Sequence, residues 1–322
     1  MGYLYQAVTL LGSITYGAIG LWLIYCLCRR RFGPAPSVTA VALLWLGSNV
    51  LYYMVAEPSM AHTSSLFALG LFFYRWDGQQ GEETSRGGLM LGLAGGLVVL
   101  VRVPDAIFVA LPILGMLPQL LRAPVRFLRR LALFASGAFV AFLPQLVVWQ
   151  VLYGSIISGY LSLSGGLAFH WLSPQWWQVL FSGFHGLYTW HPLLLAATLG
   201  LVLLARRSPR ERRFTLLLAI GLLMQLYLVS VWREWWQGDS FGGRMFISAM
   251  PIFALGLAAL LDRLSQGRYL AAVMLVSLVL LAWNGLFMLE YRLGCFSRSA
   301  PLSVQQVVTA TFQCLPAFPW GR

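Results

Sequence analysis

The chain has 322 residues, of which 59% are hydrophobic and only 10% charged, and its mean hydropathy is +0.75. Soluble globular domains are about 45–50% apolar and about 25% charged, so a water-soluble globule is excluded and a lipid bilayer is the expected solvent. The net charge of +12 rests on a basic set that is entirely arginine, clustered between apolar stretches; this fits the positive-inside pattern, no RNA or DNA motif accompanies it, and no nucleic-acid partner is expected.

Apolar stretches of about 20 residues recur along the whole chain, which predicts an all-α fold. The expected architecture is a polytopic membrane protein with about ten transmembrane helices and short interfacial helices on its outer face. The first span covers about residues 4–27 and ends at Arg29, Arg30 and Arg31. The second covers about 38–55 and ends at Glu57-Pro58. The third, about 61–75, precedes a polar loop from Asp77 to Arg86. A fourth and fifth share about 87–121 and are broken at Arg102-Val103-Pro104-Asp105, because proline disfavours helical geometry in the residue before it. Arg122, Arg126, Arg129 and Arg130 follow, then a sixth span at about 131–152. Residues 153–190 carry almost no charge and many aromatics. The seventh span, about 191–205, ends in Arg206, Arg207, Arg210, Arg212 and Arg213. The eighth runs about 214–232, and a polar loop from Arg233 to Arg244 leads to the ninth, about 246–261. After Arg263 and Arg268 comes the tenth, about 269–289. The chain therefore divides into a transmembrane domain, 1–290, and a tail, 291–322.

Arginine placement sets the expected orientation. About 16 arginines fall on the side of Arg29–Arg31, about five on the other, and Arg102 lies within the membrane region. The arginine-rich side is expected in the cytoplasm, which puts both termini and the 153–190 segment outside. His62, His170, His185, His191, Glu57, Glu234 and Asp239 then share the outer face. Cys26 and Cys28 read as buried, inert thiols rather than metal ligands. Cys295 and Cys314 fall in the outer tail, where a disulfide is permitted. The first span starts within a few residues of Met1 with its amino terminus outside. That pattern fits the loss of an earlier helix and loop, or simple N-out insertion.

Ionisable groups in a bilayer are costly, so they are the first functional candidates. Glu57 and His62 lie five residues apart in one short turn, a spacing open to acid–base or metal chemistry. Glu57 is equally suited to the amino terminus of the next helix. Arg102 and Asp105 flank Pro104 and read either as a structural ion pair or as an anion-binding pair. The run Trp235-Trp236-Gln237-Gly238-Asp239-Ser240-Phe241-Gly242-Gly243-Arg244 is the strongest local signal. Its tryptophans suit a membrane interface, and Arg244 suits a lipid phosphate or a snorkelling role. Trp171, Trp176, Trp177 and Trp190, with His185 and His191, suit either sugar stacking or interfacial seating.

These landmarks resemble the GT-C superfamily of integral-membrane glycosyltransferases, in the bacterial branch related to protein O-mannosyltransferases and aminoarabinose transferases. Glu57-Pro58 resembles the family's second outer loop. Gly92-Leu93-Ala94 through Arg102-Val103-Pro104 resembles its glycine-rich helix and Arg-x-Pro pair. Tyr153-Gly154-Ser155 with Gly159-Tyr160, His185-Gly186-Leu187 through His191-Pro192, and Trp236 through Phe241-Gly242-Gly243-Arg244-Met245-Phe246 are similar to later elements. The resemblance implies transfer of a sugar from a polyprenyl-phosphate donor to a protein, lipid or glycan acceptor at the outer face of the bacterial inner (plasma) membrane. It implies Arg244 and Arg102 on the phosphate, Glu57 and Asp239 as the candidate catalytic carboxylates, and His62, His185, His191 and Trp236 as further substrate contacts. A divalent metal is a candidate cofactor, with no ligand set assigned. The family's base lies in a first outer loop that this chain lacks, so the resemblance implies an absent first helix and catalytic loop. A transporter or flippase, or an inactive remnant, is the alternative expectation.

Overall fold

The computed structural model describes residues 2–79, 84–156, 169–264, 269–295, 297–298 and 300–309. They form an all-α structure whose only β feature among the described residues is one antiparallel bridge, Phe169 to Trp232. The helices are α1 (Tyr3–Arg29), α2 (Pro34–Leu46), α3 (Val50–Val55), α4 (His62–Gly78), α5 (Ser85–Val101), α6 (Ala106–Arg122) and α7 (Pro124–Tyr153). They continue as α8 (Trp176–Phe181), α9 (Leu187–Trp190), α10 (Pro192–Ala205), α11 (Pro209–Val231), α12 (Met250–Leu264) and α13 (Leu270–Leu293). Short 3₁₀ turns, Val103–Asp105 and Arg244–Ala249, lead into α6 and α12.

Six segments among the described residues are long and apolar enough to cross a membrane: α1, Val103–Arg122, α7, α11, Arg244–Leu264 and α13. In α7 and α13 only 11% of the most apolar stretch is buried inside the protein. Leu275, Val276, Leu278 and Val279 of α13 are all more than half exposed. Helices this apolar, with so much of that surface uncovered, point to a membrane protein. The expected ten full-length spans are met only in part. Helices α2, α5 and α10 are apolar but shorter, at 13, 17 and 14 residues. At 1.5 Å per residue, α2 reaches only about 20 Å against a hydrocarbon core of about 30 Å. The expected second span, about 38–55, is split into α2 and α3 at Gly47-Ser48-Asn49. The sixth begins earlier than expected, because Pro124 opens α7 and draws Arg126, Arg129 and Arg130 into its first turns.

Local chemistry explains several boundaries. Arg102 is extended (φ −151°, ψ 110°), as the residue before a Val-Pro pair entering a new helix, so α5 stops there. Ser208 caps α11, its Oγ accepting the Glu211 amide at 3.1 Å, with Pro209 in the first helical turn. Where α5 packs on α7, the spacing Gly88-x-x-x-Gly92-x-x-x-Gly96 faces Leu133, Phe134 and Ala138 in turn. A methyl group on Gly92 would overlap the Phe134 carbonyl, so small residues are what allow these backbones to touch.

One end of the bundle gathers the arginines. Asp77 of α4 binds Arg30 at 3.1 Å and Arg31 at 2.5 Å, and Arg31 also binds Glu211 of α11 at 2.8 Å. These pairs tie α1, α4 and α11 together. Cys28 is buried and Cys26 half-buried, both as free thiols. The opposite end holds the aromatic-rich loops.

Candidate functional site

Three loops meet at the aromatic-rich end: 56–61 between α3 and α4, 182–191 around α9, and 232–243 between α11 and α12. Tyr52 and Tyr53 of α3 hold them. The Tyr53 hydroxyl accepts the Phe241 amide at 2.9 Å. Tyr52 stacks on Phe241 with ring centroids 4.7 Å apart and donates its hydroxyl to Glu57 Oε1 at 2.9 Å. Tyr291 of α13 meets both Tyr52 and Phe241 edge-on. Buried aromatic packing of this kind fixes rotamers at low entropic cost and sets the loop that carries Arg244.

The 232–243 loop is built on special backbone geometry. Gln237, Gly238 and Gly242 all have positive φ, at 70°, 69° and 64°. Any side chain on Gly242 would run into the His191 ring, so the position needs glycine on both counts. The Gln237 side chain turns inward and accepts the Met245 amide at 2.7 Å, and Gln225 donates to the Met245 carbonyl at 3.0 Å. Arg244 is thereby fixed at the start of its 3₁₀ turn. Its Nε is buried without a hydrogen-bond partner, and among the described residues it takes part in no ion pair. Its charge lies within electrostatic reach of Tyr53, His62, His185 and Tyr291.

Arg102 behaves differently. It donates to Ser248 Oγ at 3.0 Å and to Met245 Sδ at 2.8 Å, and lies 3.7 Å from Asp105. Asp105 is fully buried. It accepts from Ser65 of α4 at 2.5 Å and from Ser248 at 2.7 Å. The helix break at Pro104 is thus closed by a polar network of Arg102, Asp105, Ser65 and Ser248.

The other sequence candidates spread outward from this core. His62 is buried edge-on against Tyr53, with its Nδ1 unpartnered and both Arg102 and Arg244 nearby. Glu57 is half-buried and Asp239 exposed, and both lie within electrostatic reach of Tyr291. The structure therefore brings Glu57, His62, Arg102, Asp239 and Arg244 into one neighbourhood. His191 is fully buried beneath Gly242. His170 and Glu234 are exposed at the edge. Trp236 stacks on Phe184 at 5.7 Å, so its ring helps frame the loop. Among the described residues no group of three or more His, Cys, Asp or Glu side chains comes together to hold a metal. Cys295 is disulfide-bonded, while Cys314 and the Gly159-Tyr160 pair lie outside the described residues.

Tyr52, Tyr53, Tyr291, Ser65 and Ser248 were not singled out by sequence. The Tyr52-Tyr53 pair close before Glu57 was the one available signal. Tyr291 sits at the end of an apolar helix and offered none.

His185 has a specific structural job. It is 1% exposed with φ of +62°, and its Nδ1 donates to the Trp236 carbonyl at 2.9 Å. Burial pushes its pKa down from 6.5 to about 4, against the raising effects of that carbonyl and Asp239. The ring is neutral in both the folded and the unfolded chain above pH 6.5. As pH falls from 6.5 towards 4, only the unfolded chain takes up the proton, so stability is lost across that window. The full interval is equivalent to about 3 kcal/mol. Thermal unfolding in detergent between pH 7.5 and 4 should show this decline, and His185→Asn should flatten it. An unchanged slope in the variant would assign the decline to other groups.

No family model, no curated protein and no solved structure matches the chain.

Proposed function

We propose that this protein is a GT-C-type glycosyltransferase, or the carboxy-terminal portion of one, that takes a sugar from a polyprenyl-phosphate donor at the outer face of the membrane. The observation that carries this reading is Arg244. A guanidinium with no ion pair among the described residues, set by a glycine-rich loop with strained backbone at Gln237, is suited to a lipid phosphate. The same end of the chain has an apolar groove of about 470 Å³ in its wall. Phe246, two residues from Arg244, lines that groove, which runs between α10 and α11 to Ala205. A phosphate at Arg244 with its isoprenoid tail in the groove satisfies both ends of such a donor.

In this reading an acceptor hydroxyl attacks the anomeric carbon with inversion, and the polyprenyl phosphate leaves with the bonding electrons. Arg244 stabilises the departing phosphate, with Arg102 adding positive potential from the side. Glu57 or Asp239 receives the acceptor proton. Donor and acceptor are held together by the loops, which supplies much of the rate. The orientation follows arginine placement, with the arginine-rich end in the cytoplasm and both termini outside.

The test uses proteoliposomes holding a polyprenyl-phosphate sugar labelled in the sugar. Release of free polyprenyl phosphate, with the label moved to another molecule, is the expected result. Movement of intact donor between leaflets without chemical change would replace the transferase reading with a flippase.

A further inference from the structure

The carboxy-terminal tail has no role in the proposed transfer, yet it returns to the aromatic-rich end. Gly294 ends α13 with φ of +73°, and the Cys295 amide donates back to the Glu290 carbonyl at 3.0 Å. The chain therefore reverses at once instead of leaving the protein. Arg298 then lies over the Tyr291 ring, its guanidinium carbon 4.5 Å from the ring centroid, and donates to the Tyr291 carbonyl at 3.0 Å. Further on, Leu302 and Ser303 cross Gly183 so closely that a methyl group there would overlap the Leu302 carbonyl. Ser303 and Gln306 cap the helical turn 304–309 reciprocally. The Gln306 amide donates to Ser303 Oγ at 3.1 Å, and the Ser303 amide donates to Gln306 Oε1 at 2.8 Å. Val307 of that turn is fully buried.

The tail thus touches two supports of the loop that carries Arg244. Tyr291, under Arg298, packs edge-on against Phe241. The Gly183 carbonyl, beside Leu302, accepts the Trp190 indole N–H at 2.9 Å. Phe184 and His185 follow directly, the first stacked on Trp236 at 5.7 Å and the second donating to the Trp236 carbonyl at 2.9 Å. Contiguous packing of this kind couples order in one segment to order in the next.

The tail is also fastened. Cys295 is disulfide-bonded. Of the four cysteines in the sequence, Cys26 and Cys28 are free thiols at the arginine-rich end, which leaves Cys314. A bond between Cys295 and Cys314 closes a ring of about 20 residues, long enough to restrict the opened tail strongly.

We propose that the tail is a clasp on the 182–191 and 232–243 loops, locked by a disulfide between Cys295 and Cys314, and that opening this bond loosens both loops. The clasp is independent of whether Arg244 takes a lipid phosphate. A dithiol opens it in two exchange steps: two thiols form on the chain, and the reductant leaves as its own cyclic disulfide.

The test follows amide hydrogen exchange by mass spectrometry in the purified full chain in nonionic detergent, with and without dithiothreitol. Reduction should speed exchange in peptides covering 182–191 and 232–243 at least about tenfold and leave those of α5 and α7 unchanged. Cys295→Ser and Cys314→Ser should each exchange like the reduced parent and no longer respond to the reductant. Gly183→Ala, which crowds Leu302 without touching the sulfurs, should loosen the same two loops in the unreduced chain. The reduced parent needs no substitution, so it keeps the test open if a variant fails to fold. Unchanged loops in a parent whose four thiols all titrate after unfolding overturn the clasp, as does faster exchange confined to the tail or spread evenly over the chain. A response that persists in Cys295→Ser, or a free Cys314 thiol in the unreduced chain, overturns the lock.

Discussion

Arg244→Ala is expected to weaken binding of a polyprenyl-phosphate sugar at least about 100-fold, equivalent to about 2.7 kcal/mol, and to abolish transfer. The size follows from the loss of a charge-assisted, forked contact to phosphate in a half-buried site. The same substitution should barely affect the fold. Among the described residues Arg244 has no ion-pair partner to be left behind, and its neighbour Met245 is held through backbone atoms by Gln237 and Gln225. Unfolding temperature should therefore stay close to that of the parent chain while donor binding disappears. Arg244→Lys keeps the charge but loses the planar fork, so it should recover binding only in part. Titration with a labelled donor reads this directly. Full donor affinity in the alanine variant would remove the phosphate assignment.

Asp105→Ala should have the opposite signature. It is expected to cost about 3–5 kcal/mol of stability, because it strips the acceptor from Ser65 and Ser248 and leaves Arg102 without its carboxylate. The remaining cation would then sit near Arg244 and His62 with nothing to offset it. Arg102→Met combined with Asp105→Leu removes both charges, and replacing a buried pair by apolar side chains is often near neutral. That double variant should recover most of the lost stability. It also separates the two roles open to Arg102. A stable double variant that still binds donor makes the pair purely structural, and one that folds but binds poorly gives Arg102 a share in the phosphate site. A cost below about 1 kcal/mol for Asp105→Ala would show that the network contributes little.

Much of the architecture is visible in one dimension. Apolar runs between arginine clusters mark helices that need a bilayer. The Arg102–Asp105 break follows from the steric demand of Pro104, and the start of α11 follows from Ser208-Pro209. Lengths were less legible. Composition alone does not show that Gly47-Ser48-Asn49 ends α2 early, or that Pro124 opens α7 ahead of its arginines.

The candidate site divides in the same way. Residue type and spacing pointed to Arg244, Arg102, Glu57, Asp239 and His62, since charge and imidazole are conspicuous in an apolar chain. Their surroundings are made by partners far away in sequence. Asp105 is satisfied by Ser65, 40 residues away, and by Ser248, 143 residues away. Phe241 is held by Tyr53, 188 residues away. His185 and His191, expected as further substrate contacts, are both buried against the loop. The sequence by itself determined that the chain is helical, bilayer-seeking and asymmetric in charge, because hydropathy, proline sterics and helix capping act over a few residues. Only the tertiary structure decided which arginine is paired and which is left open, because ion pairing and burial depend on contacts between helices.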